Sequence, residues 1–312
     1  MFEKSEIEKK MYSELMEEVK RLNFEYKELK SGNAFRIANS LSLLIKLVKK
    51  RDFITIKKLV NRWENGVKSR KFIGQTKKVK NVRTGNYFSN ERIAVYTVVF
   101  GKYDKLLEPY CHPDNIDYYI VTDQDFEDAG TVWKKIDITK FSDMLNGLSD
   151  AEKNRFFKMK PHLLFPNYKN SIYIDGNIQI ISDLTEYINC VGSCGLAAHM
   201  HSSRDCVYEE SKAVVFAGKE SKENMDKHIK HLRNQKFPEH FGMLECNVLA
   251  RKHNDVCKKL MDEWWIEFMN FSKRDQMSLP YIIYKNNISI YNVGTLGNNV
   301  NNNPSFRINS HN

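Results

Sequence analysis

An acid, a glycine and an amide follow an apolar run near the middle of the chain. Ser171 to Ile174 have the pattern of a buried strand, and Asp175, Gly176 and Asn177 come directly after it. Acids at the carboxyl ends of strands in open α/β sheets lie where ligands bind. Gly176 permits a tight turn and close approach of a ligand, while Asp175 and Asn177 offer two hard oxygen ligands for Mg²⁺ or Mn²⁺. The alternative for the same residues is a hairpin turn.

A cationic helix precedes this turn. Ser149 begins the helix, and Glu152 follows three residues later in the spacing of a capping box. Arg155 and Lys158 share one helix face, and His162 follows shortly afterwards. Such groups together suit a diphosphate, because arginine binds phosphate oxygens in a bidentate manner and lysine supplies a point charge. The alternative is an exposed basic helix end that the helix dipole stabilises.

Three later stretches carry polar side chains at positions that could contact a substrate. His199, Arg204 and Glu210 belong to a polar run directly after an apolar strand, and loops in that position often carry function. Glu245 lies inside an apolar stretch and needs a partner if it is buried. Asp275, which follows a tryptophan-bearing helix, is a candidate general base. For each stretch the alternative is a satisfied buried polar group or a capping residue.

Alternating strands and helices must position these residues. Strands are expected at 93–100, 118–123, 131–136, 171–175, 195–199 and 248–250, and helices from 149, from 182 and over 256–271. A continuous apolar run is typical of a buried central strand, and the alternation of elements indicates an α/β fold. The Asn-rich residues from 294 onwards are expected to form a loop.

The net charge of +10 comes from one segment of the chain. Residues 46–83 hold 14 basic and 2 acidic side chains, whereas residues 91–312 hold 27 basic and 29 acidic ones. We therefore predict two regions. Residues 1–85 form a helical N-terminal region with a basic amphipathic segment and a linker, and residues 91–312 form the α/β domain.

The basic segment has apolar residues at helical spacing between its lysines and arginines. This pattern suits an anionic membrane surface, and an ordinary packed helix with a solvated basic face is the alternative. No nucleic-acid partner is expected, because nothing else in the sequence resembles a nucleic-acid module. Residues 1–30 have the spacing of an amphipathic helix, or of a short coiled coil that would form a homo-oligomer.

Several classes of protein are disfavoured by the sequence. No apolar run reaches the ~18 residues of a membrane-spanning helix, and the charged first residues do not resemble a secretory signal. We expect a cytoplasmic protein, peripheral on the inner face of the membrane if the basic segment binds there. The six cysteines show no disulfide spacing, which favours reduced thiols. A zinc cluster from Cys190, Cys194, His199, His201 and Cys206 is the weaker alternative.

In combination these motifs resemble the GT-A type of nucleotide-sugar glycosyltransferase. More narrowly, they resemble a GT-A-like family with members among plant Golgi proteins and bacterial polysaccharide-locus proteins. The matching stretches are 96–104, 160–166, 173–177, 199 with 204–210, and 274–276. They lie within about 92–285, outside residues 1–85.

The resemblance implies a GT-A-like (Rossmann-like) mixed sheet flanked by helices and a glycosyltransferase that uses Mn²⁺ or Mg²⁺. Such an enzyme moves a sugar from a nucleoside-diphosphate donor, with a UDP-sugar favoured. The acceptor would be a polysaccharide, a glycolipid or another glycan, including a lipid-linked one, in capsule or cell-surface polysaccharide synthesis. Two other functions remain open: a membrane-surface interaction protein with a degenerate nucleotide-sugar module, and a metal-dependent hydrolase that uses the same acids.

The resemblance also implies roles for single residues. The Asp175 turn stands where such enzymes carry Asp-x-Asp, and Asn177 replaces the last acid, which lowers the charge of the site. Implied donor-binding residues, besides the turn, are Thr97, Phe100, Asp123, Arg155, Lys158 and His162, and implied substrate-binding residues are His199, Arg204, Glu210 and Gln276. Asp275 is the first candidate for the base of an inverting reaction and Glu245 the second, whereas a retaining reaction needs no base there.

Overall fold

The computed structural model of the protein describes residues 91–101, 104, 106–127 and 129–310. The predicted helices, basic segment and linker of residues 1–85 lie outside the described residues. The strands are β1 (Ile93–Val99), β2 (Ile116–Thr122), β3 (Trp133–Lys135), β4 (Asn170–Ile174), β5 (Ile178–Ile180), β6 (Leu196–Met200), β7 (Leu244–Lys252), β8 (Gly294–Thr295) and β9 (Phe306–Ile308).

Helices connect and cover the strands. The α-helices are α1 (Ser142–Leu145), α2 (Asp150–Met159), α3 (Pro161–Leu164), α4 (Val207–Phe216), α5 (Lys222–Asn234), α6 (Asp255–Asn270) and α7 (Asp275–Lys285). Single 3₁₀ turns or short 3₁₀ helices occur at Thr139–Phe141, Thr185–Cys190, Ile290–Asn292 and Val300–Asn302. None of the helices in the described part of the chain combines the length and the apolar character that a membrane crossing requires.

The main sheet of the described residues is mixed. Its strand order is β3-β2-β1-β4-β7-β6-β8. Strands β3, β2, β1 and β4 run parallel to one another, and β7 pairs antiparallel with both β4 and β6. Every residue of β1 and of β4 is buried, as expected for strands that are covered on both faces. The predicted α/β architecture, a mixed sheet flanked by helices, is confirmed.

Two apolar cores lie on the two faces of this sheet. One core joins alternate residues of the central strands to α2, α6 and α7, and the other joins the remaining residues to the region of β5 and β9. Helix α2 begins as predicted, because the Ser149 hydroxyl accepts from the Glu152 amide while the Glu152 carboxylate accepts from Ser149 N–H. This reciprocal cap satisfies two helix-end donors and fixes where the cationic face of α2 begins.

Two local predictions differ from the structure to unequal degrees. The short helix expected from 182 is present as a 3₁₀ helix that begins at Thr185, with Asp183 Oδ1 accepting from Thr185 N–H. The prediction of a loop for the Asn-rich tail was wrong, since the tail contains β8 and β9. These strands depend on pairing with distant parts of the chain, because β8 pairs with β6 and β9 pairs with β5.

The hairpin alternative for Asp175 to Asn177 is also excluded. The turn connects β4, which pairs with β1 and β7, to β5, which pairs with β9. The two strands that flank the turn therefore do not pair with each other. The turn itself is tight, because Ile178 N–H donates to the Asp175 carbonyl over 3.0 Å.

Candidate active site

Lys158 lies between the two acids that the sequence singled out. Its Nζ is 2.6 Å from Asp275 Oδ2 and 3.3 Å from Asp175 Oδ1. Lysine 158 comes from the last turn of α2, Asp175 follows β4, and Asp275 begins α7. Three separate elements therefore meet at one ammonium group. The Lys158 side chain is only 1% exposed, so its ammonium group faces the two carboxylates rather than the surface.

Arg155 is the cation of this group that reaches solvent. Its Nε is 3.1 Å from Asp275 Oδ2, and its side chain is 25% exposed, against 7% for Asp275. Arg155 lies one helical turn before Lys158, so the two cations of α2 contact Asp275 from the same helix face. Arg155 Nη1 donates to Asn154 Oδ1, and the exposed part of the side chain is what an anionic ligand could contact.

Asp175 is held but remains partly open. The Tyr173 hydroxyl donates to Asp175 Oδ1 over 2.7 Å, and the Asp175 side chain is 31% exposed. The backbone N–H of Asp175 donates to the Asn247 carbonyl of β7. The Asp175 carboxylate is thus oriented by one buried hydroxyl and one buried ammonium, and it still reaches the surface of the turn.

Asp104 is an acid beside the turn that the sequence analysis did not include among the site residues. A Cβ added to Gly176 would lie 3.0 Å from Asp104 Oδ2 and 3.0 Å from Val99 Cγ2. A glycine is therefore needed for this close approach. The signal for Asp104 was available, because it follows β1 much as Asp175 follows β4.

The residues around the turn fit a divalent cation that accompanies an anionic ligand. Mg²⁺ is usually held by one or two carboxylates together with water and substrate phosphates, and the turn offers Asp175, with Asp104 close by. Asn177 Nδ2 donates to the Asn309 carbonyl, which orients the Asn177 amide. In the described part of the chain, no three His, Cys, Asp or Glu side chains converge as metal ligands.

The balance of charges around the turn also favours an added divalent cation. Arg155 and Lys158 are joined near Asp275 by Arg274, whose charge also lowers the pKa of Asp275. These three cations face Asp175, Asp275 and the nearby Asp104. The group is therefore close to neutral before any ligand binds, and it does not by itself neutralise a diphosphate.

The environment of Asp275 does not suit a general base. Burial alone would raise the pKa of Asp275, but Lys158 and Arg155 lower it well below its ordinary value. Asp275 Oδ1 also accepts from Gln276 N–H over 2.9 Å. A base needs a pKa near the working pH and access to the acceptor proton. The geometry shows Asp275 as an anchor for Lys158 and Arg155, and its role as a base stays a prediction.

Glu245 meets these requirements better. Burial raises the pKa of Glu245, and Glu245 lies on β7 two residues from Asn247, whose carbonyl accepts from Asp175 N–H. Glu245 Oε2 accepts from Asn247 Nδ2 and from Val300 N–H, over 3.3 and 3.1 Å. One carboxylate oxygen is thus fixed in place, close to the turn.

A second polar group adjoins the first through Gln276. Gln276 Nε2 donates to Glu210 Oε1 over 2.6 Å, and Arg204 Nε donates to Glu210 Oε2. His201 Nε2 is 3.6 Å from the same carboxylate oxygen. Burial would raise the pKa of Glu210, but His201 and Arg204 lower it overall. The structure therefore brings three of the four predicted substrate-binding residues, Arg204, Glu210 and Gln276, into one network beside Asp275.

The other predicted residues lie in different surroundings. Thr97 is buried in β1 with no hydrogen-bond partner for its hydroxyl. Phe100 stacks on Phe157, with ring centroids 6.0 Å apart, and so belongs to the core. Asp123 accepts from Gly101 N–H over 3.1 Å and holds the loop after β1. Only Asp123 of these three presents its side chain at the surface.

Two predicted histidines are not brought to the turn. His162 Nε2 is 3.3 Å from Asp262 of α6, and the charge of His162 acts on His253, which follows the other end of the antiparallel strand β7. His199 is fully buried in β6, and its Nε2 is 2.9 Å from Asn303 Nδ2. His162 therefore lies towards the start of β4 rather than its end, and His199 supports the site from within.

The cysteines behave as predicted for reduced thiols. All six are free, and Cys194, Cys206, Cys246 and Cys257 are buried. The alternative zinc cluster is excluded for these residues, since no metal-binding group forms in the described part of the chain.

Comparison with known proteins agrees with this arrangement. The model of a family described as TOD1/MUCI70, glycosyltransferase-like domain, matches residues 67–296. The chain is 26% identical over 146 residues to a probable hexosyltransferase, MUCI70, of Arabidopsis thaliana, a stretch that covers 43% of this chain. That stretch spans only 25% of the length of the plant protein.

Two solved structures have a distant likeness to the chain. The bifunctional glycosyltransferase WbbM, in its apo form, aligns over 68% of this chain and 40% of its own, with 13% identity and a TM-score of 0.40. The galactosyltransferase LgtC, in complex with donor and acceptor sugar analogues, aligns over 65% of this chain and 72% of its own, with 10% identity and a TM-score of 0.37. Such scores are too low to carry an argument, so the assignment depends on the family match, which covers most of the chain. The chain belongs to the TOD1/MUCI70 glycosyltransferase-like domain family.

Proposed function

We propose that the protein transfers a sugar from a nucleoside-diphosphate donor to a glycan or lipid-linked acceptor. The observation that carries the proposal is the group formed by Asp175, Lys158, Asp275 and Arg155 at the carboxyl end of β4. A buried ion pair supports two partly exposed groups of opposite charge there. This is the end of an α/β sheet at which ligands bind, and the family match supports a sugar transfer.

The proposed roles follow from exposure and charge. Arg155, with its exposed guanidinium, binds oxygens of the donor diphosphate through charge-assisted hydrogen bonds. Lys158 and Tyr173 orient the Asp175 carboxylate from below. Asp175 and Asn177 would hold Mg²⁺ or Mn²⁺ through side-chain oxygens when the donor binds, and that cation would supply positive charge to the departing diphosphate.

The reaction breaks the bond between the sugar C1 and the diphosphate oxygen, which leaves with the electron pair. A new bond forms between C1 and the acceptor oxygen, and the transition state resembles an oxocarbenium ion. In an inverting transfer the acceptor hydroxyl gives its proton to a carboxylate. Glu245 is the proposed base, because burial raises its pKa and its carboxylate accepts from Asn247, whose carbonyl in turn binds Asp175 N–H.

The finer assignments are proposals as well. A UDP-sugar is the favoured donor, and capsule or another cell-surface polysaccharide is the favoured product. Attachment to an anionic membrane surface through the basic segment, residues 46–83, would bring a cytoplasmic enzyme to a lipid-linked acceptor.

A donor panel with matched variants tests the proposal. The purified chain is incubated with UDP-, GDP- and CMP-sugars and Mn²⁺, with and without glycan acceptors, and nucleotide release and glycan products are measured. Asp175→Asn is expected to lower turnover at least ~100-fold, as is usual when one charge-stabilising group of an active site is removed. Asp143→Asn is the control, because Asp143 is exposed on α1, away from the site.

Two results would count against the proposal. If no nucleotide sugar binds or reacts, or if Asp175→Asn behaves like Asp143→Asn, the site does not transfer sugars. If water is the only acceptor used, and glycans change neither the rate nor the products, the chain is a hydrolase instead.

A further inference from the structure

The last described residues of the chain contact three of the residues that were predicted to form the site. We define the strap as residues 299–309. It contains the Val300–Asn302 3₁₀ turn and β9, and it lies beyond the part of the chain that the family model matches, residues 67–296. Neither the family match nor the sequence analysis gives this segment a role.

The first contact is at the Asp-Gly-Asn turn. Strand β9 pairs antiparallel with β5, with Ile308 opposite Ile178. One residue further, Asn309 N–H donates to the Asn177 carbonyl over 2.9 Å. Asn177 Nδ2 donates back to the Asn309 carbonyl over 3.1 Å. The last residue of the turn is thus held through both its main chain and its side chain by the two backbone groups of one strap residue.

The second and third contacts are at β6 and β7. Val300 N–H donates to Glu245 Oε2 over 3.1 Å. Asn303 Nδ2 lies 2.9 Å from His199 Nε2, and the His199 ring meets the Phe306 ring edge-on at a centroid distance of 6.0 Å. The strap therefore touches the proposed base and the histidine that stands opposite it in the β6–β7 pair.

The strap is also anchored by burial and by hydrogen bonds outside the site. Phe306 is fully buried in the core below the sheet. The Ser305 carbonyl accepts from Ile181 N–H over 2.8 Å, and the Ser305 hydroxyl accepts from Ser182. Because a buried aromatic ring and strand pairing fix the strap, the backbone groups of Val300 and Asn309 lie at defined positions, where they contact Glu245 and Asn177.

We propose that the strap is a positioning element of the active site, and that Asn309 is the residue that fixes the Asp175–Asn177 turn. It acts through its backbone N–H and carbonyl rather than through its side chain. The inference depends on the proposed function for its catalytic consequence, but the positioning itself is a property of the fold. Asn177 consequently has two roles. Its Nδ2 group holds the strap, and the same hydrogen bond fixes the direction of its side-chain oxygen.

A matched pair of substitutions at one position tests this idea. Asn309→Pro removes the backbone N–H that Asn177 accepts from, and the residue before it, Ile308, already has the extended conformation that a following proline requires. Asn309→Ala keeps both backbone groups. It also removes a side-chain Nδ2 that is buried without a hydrogen-bond partner, a change that costs little.

Two measurements are made on both variants and on the unchanged chain. Hydrogen exchange of the peptide that contains Asp175 to Ile178 reports on the turn, and titration with UDP and Mn²⁺ reports on binding. In Asn309→Pro we expect exchange in the turn to be about tenfold faster and UDP to bind about five- to tenfold more weakly, the range expected when one hydrogen bond is lost. Asn309→Ala should match the unchanged chain in both.

The outcomes separate the inference from the proposed function. If the unchanged chain neither binds UDP nor transfers sugar, the proposed function fails, and the exchange result still decides whether the strap holds the turn. If Asn309→Pro and Asn309→Ala give the same exchange and the same binding, the strap is not a positioning element. A chain that stops after Ile308 provides a second test without a proline ring, and protection of its turn equal to that of the full chain would also overturn the proposal.

Discussion

Replacing Lys158 with methionine tests the reasoning about the centre of the site. Methionine has a similar length and no charge, so Lys158→Met leaves the Asp275 carboxylate buried without its nearest cation, which is now 2.6 Å away. Removal of one partner from a buried ion pair usually costs about 3–5 kcal/mol, because the remaining charge is uncompensated. Arg155 still contacts Asp275 at 3.1 Å, and we therefore expect the lower end, about 3 kcal/mol.

The assay is chemical and thermal unfolding of the purified chain at pH 7. A loss of ~3 kcal/mol corresponds to a fall of roughly 6–12 °C in the melting temperature of a domain this size. Lys153→Met is the matched control on the same helix, because Lys153 pairs with the exposed Asp150 at 3.3 Å. Such exposed pairs contribute about 0–1 kcal/mol, so the control should melt within about 4 °C of the unchanged chain.

A second substitution distinguishes an ion pair from simple packing. Lys158→Met combined with Asp275→Asn removes both charges and keeps an acceptor for Gln276 N–H, so the double variant should recover at least half of the lost stability. In the unchanged chain the pKa of Asp275 is lowered, so its contribution is present above the pKa of the unfolded state and is lost as the pH falls through the lower folded pKa. Loss of the Lys158 charge and hydrogen bond should raise the pKa of Asp275, because burial is then opposed only by the arginines, and we expect the deficit to shrink as the pH falls from 7 to 5. A loss below about 1 kcal/mol, or a double variant no more stable than the single one, would refute the buried-pair argument.

Three further results are expected. Glu245→Gln should lower kcat about 100- to 10,000-fold, the usual contribution of a general base, while the donor KM changes only a few-fold. A much larger change in KM than in kcat would instead give Glu245 a binding role. Burial raises the pKa of Glu267, which lies against His228 and His231, to about 7. The stability that Glu267 contributes is therefore fully present below the pKa of the unfolded state and is lost as the pH rises through 7. Glu267→Gln should therefore gain about 3 kcal/mol relative to the unchanged chain between pH 4.5 and 8, and equal unfolding curves at both pH values would contradict this. Liposomes with anionic lipid should sediment the chain at 0.1 M salt and release it at 0.5 M, because a Debye screening length of about 10 Å at 0.1 M shortens further with salt; binding that survives deletion of residues 46–83 would exclude the basic segment as the contact.

Local patterns in the sequence predicted most of the sheet. The strands at 93–100 and 171–175 are continuous apolar runs, and the capping box at Ser149 marks the start of α2 within one residue. These features depend on neighbouring residues, so a single sequence contains them. The meeting of Arg155, Lys158, Asp175 and Asp275 was anticipated only as a set of motifs, because their distances depend on how α2 and α7 pack on the sheet.

The parts that could not be predicted depend on long-range pairing and on burial. Neighbouring residues do not show that β5 pairs with β9, so the sequence predicts a loop for the strap. The spacing predicts that Lys158 and Arg155 share one helix face. It does not show that Lys158 is buried while Arg155 reaches solvent. The helix face of His162 was equally hidden, since α3 begins at Pro161 and turns its histidine towards α6.

The burial of Lys158 affects which roles are open to the two carboxylates, Asp275 and Glu245. A carboxylate cannot both neutralise a buried ammonium and take a proton near neutral pH, because the first role requires a low pKa and the second a raised one. Asp275 has the first environment, with two cations in contact, and Glu245 has the second, because burial outweighs its hydrogen bonds and the charge of His201 and raises its pKa. We therefore expect the two acids to differ in role, because their surroundings differ. Substituting them separately should show the difference. Asp275→Asn should lower the stability of the fold more than the rate of transfer, whereas Glu245→Gln should leave the fold intact and slow the reaction.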